Sequence, residues 1–396
     1  MHHVGLVGLG TMGSNLARNI SRKPNTHLHL YSKSYKGSAD KIKNSTVYES
    51  IPELVKGMGG GIGREFILML PSGLPIDTTI NAMIPHISEG DVVIDGANEH
   101  FVSSRKRGEL LERCGAHYLG AGISGGSSGA LNGPSVMVGG SPLGYRTSKE
   151  LLDHICSDEG NHQYYGGAYG AGHFVKTVHN GVEYAMMQSL SEVYDSVSHE
   201  NFLESIDQNM GNLEGFLISL TRSIDLNYVD TLGDEAMMNS TGTWCAQHAL
   251  LNSIPIGMIM ASVNARILSM GSRGNGERPK GVDGVNIQGV LEFAFASALW
   301  EGKMLCESMD ADFETAKRNW SSGAIITTNM LDADLSATMH LNYEAAENFR
   351  TKAGCPLPAL NAALDAYKTR ERQSLSTSLI MAQRNAFGGH PVKFKD

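Results

Sequence analysis

The stretch VGLVGLGTMG near the start of the chain constrains the fold more than any other part of the sequence. A short apolar run leads into Gly8, Gly10 and Gly13, which are spaced as G-x-G-x-x-G, and a helical pattern follows from about Met12. In a strand–turn–helix of this kind the glycines permit a tight turn, the close approach of a pyrophosphate and close helix packing, while the helix N-terminus attracts phosphate. The motif therefore predicts a dinucleotide site at Gly8, Gly10, Thr11, Met12 and Gly13.

The first part of the chain alternates short apolar runs with helical stretches. After the first run come HLHLYS, FILMLP, DVVIDG and AHYLGAGIS. Strands that alternate with helices are typical of a Rossmann-type α/β domain with a parallel, doubly wound sheet. Beyond about Gly170 the sequence changes to long periodic segments rich in Ala, Met, Leu and Glu. We therefore expect an α/β domain over residues 1–170 and a mostly all-α domain over residues 171–380.

Composition excludes several classes of protein. The chain has 396 residues, 41% of them hydrophobic, and a net charge of -9, which argues against nucleic acid or an anionic membrane as the main partner. Its five cysteines are widely spaced and form no C-x-x-C pair, which favours a reducing cytoplasm and predicts neither a disulfide framework nor a metal site. Polar residues and a proline interrupt the most apolar later stretch, ALLNSIPIGMIMASV, so no membrane span is expected.

The end of the second apolar run, LYSKSYKG, indicates which dinucleotide binds. An acidic residue here would hold the ribose 2′-hydroxyl of NAD, but no carboxylate occurs between residues 21 and 39. Ser32, Lys33, Ser34 and Lys36 are instead suited to hydrogen-bond and neutralise a 2′-phosphate. The sequence therefore predicts NADP as the cofactor, with ordinary loop lysines as the alternative interpretation.

A second constellation lies in GAGHFVKTVHNGVEYAMMQ. At helical spacing, Lys176, His179, Asn180 and Glu183 fall within an arc of about 100°. The apolar residues of the segment fall mostly on the other sides, so the predicted helix is amphipathic. This polar face is either an exposed surface or a site, and the pattern of the helix alone does not decide between them.

Two glycine-containing segments precede that helix. Asn98, in DGANEHF, comes just past a predicted strand end, where a doubly wound sheet places its ligands. Asn98 is therefore a candidate to contact the nicotinamide or the substrate. Ser124, Gly125 and Gly126 would present a hydroxyl and bare backbone N–H groups to a carboxylate, although a plain glycine-rich turn would have a similar sequence.

These segments in this order resemble the decarboxylating 6-phosphogluconate dehydrogenase family. The resemblance extends over nearly the whole chain, from GLGTMGSNLARN through DGANEHF, GISGGSSGALNGPSVMVGG and GAGHFVKTVHNGVEYAMMQ to STGTW, NWSSGAII and AQRNAFGGH. The helix motif and the last motif are the most specific. The resemblance implies a cytoplasmic enzyme that converts 6-phosphogluconate and NADP to ribulose 5-phosphate, carbon dioxide and NADPH.

The same resemblance implies roles for individual residues. Lys176 would be the general base and Glu183 the later acid. A C-terminal tail, residues 381–396, would enter the site of the other subunit, so a homodimer is implied. The substrate-binding residues implied in this way are Asn98, Ser124, Gly125, Gly126, His179, Asn180, Tyr184, Thr241, Arg266, Arg384 and His390.

The chain also departs from the family pattern. Asn239 and Thr243 stand where the family has lysines around its GTG motif, and Ser127 and Ser128 replace an acidic pair. A charge-assisted hydrogen bond is worth roughly 1.5–3 kcal/mol, so a lost phosphate ligand would weaken binding by one to two orders of magnitude if nothing compensates. Two alternatives therefore remain, a dehydrogenase of another β-hydroxy acid, such as an unphosphorylated sugar acid, and a non-catalytic NADP-binding sensor. Arg266 and the tail residues argue against the first alternative, and the retained catalytic pair argues against the second.

Overall fold

The N-terminal part of the protein is built around a single sheet. In the computed structural model the described residues are 1–34, 42–271, 281–372, 377–388 and 390–392, so Lys36 lies outside them. The elements of the first part are β1 (His2–Val7), α1 (Thr11–Ile20), β2 (Thr26–Tyr31), β3 (Ser45–Val47), α2 (Ile51–Gly57), β4 (Glu65–Leu68), α3 (Leu74–Met83), β5 (Val92–Asp95), α4 (Phe101–Arg113), β6 (His117–Ser124), α5 (Gly126–Asn132), β7 (Ser135–Gly140), α6 (Pro142–Ile155) and β8 (His162–Tyr164).

The eight strands form one sheet in the order β3-β2-β1-β4-β5-β6-β7-β8. All neighbouring strands are parallel except β6 and β7, which are antiparallel. The predicted α/β Rossmann-type fold with a parallel, doubly wound sheet is thus confirmed, and β6–β7 is the one antiparallel pair among the described strands. The short helix α5 reverses the chain between β6 and β7, whereas a parallel pairing needs a longer crossover.

The sequence pattern assigns no strand to the segment PSVMVGG. It forms β7 because its side chains are buried on both faces of the sheet, which suits a central strand. Strands β4 and β5 are likewise buried along their whole length. Helices cover both faces of the sheet, so the carboxyl ends of the strands and the loops after them are left to form a site.

The C-terminal part is helical, as the sequence predicts. Its helices are α7 (Ala171–Ser196), α8 (His199–Asp207), α9 (Phe216–Arg222), α10 (Leu226–Val229), α11 (Ser240–Leu251), α12 (Gly257–Ser269), α13 (Ile287–Glu307), α14 (Phe313–Trp320), α15 (Leu335–Lys352), α16 (Pro358–Arg372) and α17 (Ser378–Gly388). Among the described residues, no helix is both long and apolar enough to cross a membrane.

Helix α7 is the element that joins the two parts. It packs on β6 and β7 on one side and on α11, α12 and α13 on the others. A Cβ at Gly172 would lie 2.3 Å from the carbonyl oxygens of Gly120 and Met137, so only glycine allows helix and sheet to approach this closely. Because other elements surround α7, its polar face is buried between the two parts rather than exposed to solvent.

A second junction fixes the edge of the sheet against the helical part. The buried side chain of Asn319, in α14, donates to the hydroxyl of Ser135 at 2.9 Å and to the side-chain oxygen of Asn161 at 3.0 Å. Asn161 in turn donates to the hydroxyl of Ser322 at 2.7 Å. These bonds hold the start of β7 and β8 in a fixed position relative to the helices.

Candidate active site

The three positions after β1 are occupied by glycine for three different structural reasons. Gly8 adopts φ +100°, and a Cβ there would lie 2.3 Å from the carbonyl oxygen of Met69. A Cβ at Gly13 would lie 1.9 Å from the carbonyl oxygen of Gly8, so this glycine permits close packing of α1. Gly10, in contrast, has nothing within 4 Å of its Cβ position, so the turn is open on the side where a bulky anion would approach. Thr11 and Met12 follow in the first turn of α1.

A cavity of about 790 Å³ opens beside this turn. It is lined by Gly10, by Ser32, Lys33 and Ser34 at the end of β2, and by the apolar side chain of Leu74. The Ser32 hydroxyl accepts a hydrogen bond from the Leu9 N–H at 3.4 Å, whereas Lys33 and Ser34 are exposed. The cavity thus combines the glycine turn, an exposed cation and an apolar wall, which suits a dinucleotide.

Asn98 lies in the loop between β5 and α4, at the carboxyl edge of the sheet. Its side chain is exposed, while the neighbouring Ala97 and Glu99 are buried. The buried neighbours hold the loop, and Asn98 is left facing solvent at the edge where the glycine turn also lies. Its contact with a ligand stays a prediction.

The predicted polar face of α7 is a compact buried cluster. The Lys176 Nζ lies 3.5 Å from Nδ1 of His179, and the same ring nitrogen lies 3.6 Å from a carboxylate oxygen of Glu183. Lys176 is 6% exposed and His179 is fully buried, whereas the Glu183 side chain keeps 20% of its surface exposed. The site therefore has a dry inner end at Lys176 and a wetter end at Glu183.

A chain of hydrogen bonds fixes the His179 ring. Nδ1 lies 3.0 Å from the side-chain oxygen of Asn180, and Nε2 lies 2.9 Å from the Ser124 hydroxyl. An amide oxygen only accepts, so Nδ1 carries the proton and Nε2 accepts from Ser124. Asn180 then donates to the Thr241 hydroxyl at 2.8 Å, which links α7 to α11.

Burial sets the protonation of the cluster. It lowers the pKa of Lys176 to about 8, although the Glu183 carboxylate opposes the shift. Burial, helped by the nearby Lys176, holds the pKa of His179 well below its usual range, so the imidazole is neutral. Burial also raises the pKa of Glu183, against the influence of Lys176 and Arg266. A lysine that releases its proton near neutrality and a carboxyl that retains one more readily are suited to proton transfer.

The outer end of the site carries a cation on an aromatic ring. The Arg266 guanidinium carbon lies 3.7 Å from the ring centroid of Tyr184, and Nη1 donates to the carbonyl oxygen of Met237 at 3.3 Å. The Tyr184 hydroxyl donates to the side-chain oxygen of Asn239 at 3.3 Å. Asn239 is also the N-cap of α11, where it accepts from the N–H and the hydroxyl of Thr241. Asn239 is thus a hydrogen-bond acceptor at the position where the family pattern has a cation.

The glycines after β6 form the opposite wall. Gly125 and Gly126 adopt φ +111° and +61°, and a Cβ at Gly125 would lie 2.5 Å from the carbonyl oxygen of Gly323. The Ser124 hydroxyl, besides its bond to His179, accepts the N–H of Ile325 at 3.3 Å. The loop around residue 325 therefore belongs to the site, although the sequence analysis named Ile325 only within the segment NWSSGAII and gave it no role.

The two predicted tail residues are placed differently from all the others. Arg384 is exposed on α17, and His390 is exposed beyond its end, where Asn385 donates to the His390 carbonyl oxygen at 3.0 Å. Both residues lie outside the buried cluster of α7. Within one chain the structure brings together the residues of α7, β6 and α11, and leaves this pair on the surface.

The glycine turn, the parallel sheet edge and the buried lysine face define a two-part dinucleotide-binding protein equipped for acid–base chemistry. Family models support this class in detail. Residues 3–167 match the NAD binding domain of 6-phosphogluconate dehydrogenase, and residues 172–349 match the 6-phosphogluconate dehydrogenase C-terminal domain. The chain belongs to the 6-phosphogluconate dehydrogenase family.

Individual relatives extend the likeness over the full chain. The chloroplastic decarboxylating 6-phosphogluconate dehydrogenase 1 of Arabidopsis thaliana is 30% identical over 100% of this chain and 96% of its own length. The decarboxylating enzyme of Synechococcus elongatus is 31% identical over 100% of this chain and 98% of its own length. The solved structure of Plasmodium falciparum 6-phosphogluconate dehydrogenase, described with NADP+ and with 6-phosphogluconate, superposes with a TM-score of 0.88 at 28% identity, covering 100% of this chain and 98% of that one.

Proposed function

We propose that the protein oxidises and decarboxylates 6-phosphogluconate with NADP, forming ribulose 5-phosphate and carbon dioxide. The observation that carries this proposal is the buried Lys176, whose pKa is lowered to about 8 and whose amine lies 3.5 Å from a neutral His179. A lysine on an ordinary surface would remain charged and would not act as a base near neutral pH. Family membership gives this chemistry its substrate class.

The residues around the glycine turn fit NADP. Gly10 leaves room for the pyrophosphate, and Lys33 and Ser34 lie exposed at the end of β2, where the 2′-phosphate of the adenosine ribose would be held. Leu74 supplies an apolar wall to the same cavity. When bound, NADP would accept a hydride from the substrate, and Asn98 would contact both molecules.

We assign the first proton transfer to Lys176. In its neutral form the amine accepts the proton of the substrate's β-hydroxyl as the alcohol is oxidised. His179, fixed in one tautomer, and Asn180 bind the substrate hydroxyls and hold them against Lys176. The lysine, now an ammonium, donates a hydrogen bond to the new carbonyl and so favours loss of the adjacent carboxylate as carbon dioxide.

We assign the second proton transfer to Glu183. As carbon dioxide leaves, the Lys176 ammonium returns its proton to the former carbonyl oxygen. The resulting enediol then gains a proton from Glu183 at the vacated carbon while its hydroxyl proton passes back to Lys176. Glu183 follows Lys176 by seven residues, two helical turns on the same face of α7, so both groups face one bound substrate. Burial raises the pKa of Glu183, which makes its protonated form easier to reach near neutral pH.

Recognition of the rest of the substrate is assigned to three groups. Ser124, Gly125 and Gly126 bind its carboxyl end. Tyr184, Thr241 and Arg266 bind its phosphate. Arg384 and His390 would complete the phosphate site from the partner subunit of a homodimer, which accounts for their exposed position in a single chain.

We also propose that the chain divides into an NADP-binding domain, a helical domain and a tail. These comprise residues 1–170, 171–380 and 381–396. We further propose that the protein acts in the cytoplasm. All five cysteines are free, which suits a reducing compartment.

The direct test is to incubate the purified protein with NADP and 6-phosphogluconate while following reduced cofactor and carbon dioxide together. We expect equal amounts of both products, faster turnover with NADP than with NAD, and no comparable turnover with gluconate. Cofactor reduction without carbon dioxide, or no turnover with any sugar acid, would refute the proposed reaction.

One observation favours a second candidate, a dehydrogenase of an unphosphorylated β-hydroxy acid. Asn239 is uncharged, and its side-chain oxygen accepts hydrogen bonds from Tyr184 and Thr241. This position therefore offers no cation to a phosphate. The gluconate arm of the same assay decides between the two candidates. Turnover of gluconate that equals or exceeds turnover of 6-phosphogluconate would favour the second.

A further inference from the structure

A network of buried charged groups lies beneath the Asn98 loop, and the steps proposed above do not use it. It comprises Arg107 of α4, Asp95 at the end of β5 and Glu99 in the loop itself, all buried, together with the half-exposed Asp77 of α3. Buried charges are costly unless they are paired, so a network of this kind at the edge of a ligand site calls for a reason.

Arg107 connects three segments of the chain. Its Nε donates to Asp77 at 2.7 Å, and its Nη1 donates to Glu99 at 2.7 Å and to Asp95 at 3.1 Å. Its Nη2 donates to the carbonyl oxygen of Gly73 at 3.2 Å. One planar guanidinium thus fixes the start of α3, the end of β5 and the Asn98 loop relative to one another.

Glu99 completes the connection between the two loops. One of its oxygens accepts the N–H of Gly73 at 2.7 Å, and the other accepts the N–H of His100 at 2.7 Å. Gly73, at φ +80°, directly precedes Leu74, which lines the dinucleotide cavity. The loop that bears Asn98 and the apolar wall of the cavity are therefore held by the same carboxylate.

The network also reaches the helix of the buried lysine. His173, one turn before Lys176 in α7, donates from Nε2 to the carbonyl oxygen of Asp95 at 3.0 Å. Its Nδ1 accepts from the Ser104 hydroxyl of α4 at 2.6 Å. Burial lowers the pKa of His173, so the ring is neutral and its donor and acceptor stay fixed.

We infer that Arg107 and Glu99 are positioning residues that set the Asn98 loop and the wall at Leu74 against helix α7. The inference rests on the proposed function, because it assigns to the network the task of aligning the nicotinamide with the substrate held by Lys176. Hydride transfer is sensitive to such alignment. A misplacement of the reacting groups by 1 Å, caused by a mutation far from them, can slow a reaction by about 100-fold.

The same sheet offers a matched control. Arg64 and Asp91 form another buried pair, with Nη2 and a carboxylate oxygen 2.7 Å apart, before β4 and β5. Arg64 also donates to three backbone carbonyl oxygens, those of Val55, Gly59 and His86. It lies at the amino ends of the strands, opposite the site, so its loss should affect stability but not alignment.

The test compares R107M and R107K with R64M and R64K, using NADP and 6-phosphogluconate with deuterium at the carbon that is oxidised. We expect R107M to lose about 100-fold in kcat, with the KM for NADP changed less than about threefold because the 2′-phosphate contacts are untouched. Its primary isotope effect should increase, since a misaligned hydride step becomes rate-limiting. R107K should be intermediate, and the Arg64 variants should unfold at lower temperature without changing the isotope effect.

Three outcomes are distinguishable. A fall in kcat for the Arg107 variants no larger than for the Arg64 variants, or an unchanged isotope effect, would overturn the inference while leaving the proposed function intact. Should R107M fail to fold, R107K and S104A, which removes only the hydroxyl that bonds His173, carry the same comparison. A wild-type protein that does not oxidise 6-phosphogluconate would refute the proposed function, and this inference with it.

Discussion

The inner and outer ends of the candidate site are built in opposite ways. At the inner end, Lys176 and His179 are buried and their hydrogen bonds are made within the protein. At the outer end, Arg266 lies against the Tyr184 ring, and its Nη1 bonds to the protein through a backbone carbonyl. Proton transfer therefore depends on excluded water, whereas recognition of a charged substrate group depends on cations that stay partly hydrated until the substrate binds.

Removal of the base at the inner end should have the largest effect. We expect Lys176→Met to lower kcat by about 10³- to 10⁴-fold, at the upper range for loss of a general base, while NADP still binds. Steady-state rates and cofactor titration by fluorescence measure the two properties. Lys149→Met, which removes an exposed lysine paired with Asp153, is the control and should leave kcat unchanged. Near-normal turnover by the Lys176 variant would show that the inner end does not supply the general base.

Replacement of the acid should separate the two halves of the reaction. We expect Glu183→Gln to lower the steady-state rate by about 100-fold, because the amide cannot protonate the enediol. Hydride transfer precedes that step, so a rapid-mixing experiment should still show a first turnover of cofactor reduction. Loss of the rapid first turnover would place Glu183 in the oxidation step instead.

Removal of the cation at the outer end should affect binding alone. We expect Arg266→Gln to raise the KM for 6-phosphogluconate by about 10- to 100-fold with little change in kcat, because a charge-assisted hydrogen bond is lost in ground and transition states alike. The KM for gluconate should not change. Conversely, Asn239→Lys should lower the KM for the phosphorylated acid. A fall in kcat for R266Q would show that the two ends do not act separately.

The pH dependence of kcat/KM should report the ionisation of Lys176 at the inner end of the site. Only the neutral amine of Lys176 accepts a proton, and its pKa is lowered to about 8, so kcat/KM should fall about tenfold per pH unit below that value. Above it the rate should level until another group titrates. A pH–rate profile from pH 5.5 to 9.5 measures this limb. In Glu183→Gln the carboxylate that raises the Lys176 pKa is gone, so a limb that persists and moves to lower pH would assign it to the lysine. A limb that disappears would assign it to Glu183.

The smallest effect concerns the cofactor. We expect Lys33→Ala to raise the KM for NADP by about tenfold or less, because an exposed cation contributes modestly to binding a phosphate, and to leave the KM for NAD unchanged. Lys56→Ala, in α2 on the same domain, serves as the control. Equal changes for both cofactors would show that Lys33 does not contact the 2′-phosphate.

Much of the fold was predictable because its signals are local. The glycine turn, the alternation of strands and helices, and the spacing of Lys176 and Glu183 on one helix all arise from residues close in the sequence. Strand β7 was missed because its antiparallel pairing depends on a chain reversal by the short helix α5 and on burial on both faces. Periodicity alone does not distinguish a fully buried strand from a glycine-rich turn.

Residues close together in the chain suffice to specify a dinucleotide turn and a helix with a lysine, a histidine, an amide and a carboxylate on one face. Burial of this face, in contrast, depends on long-range packing, because α7 lies between the sheet and three other helices. Burial turned Lys176 from an ordinary cation into a group that titrates near pH 8, and contacts with Ser124 and Asn180 fixed the tautomer of His179. Arg107 and Glu99 gained their partners in the same way, since desolvation and long-range contacts exist only once distant segments meet.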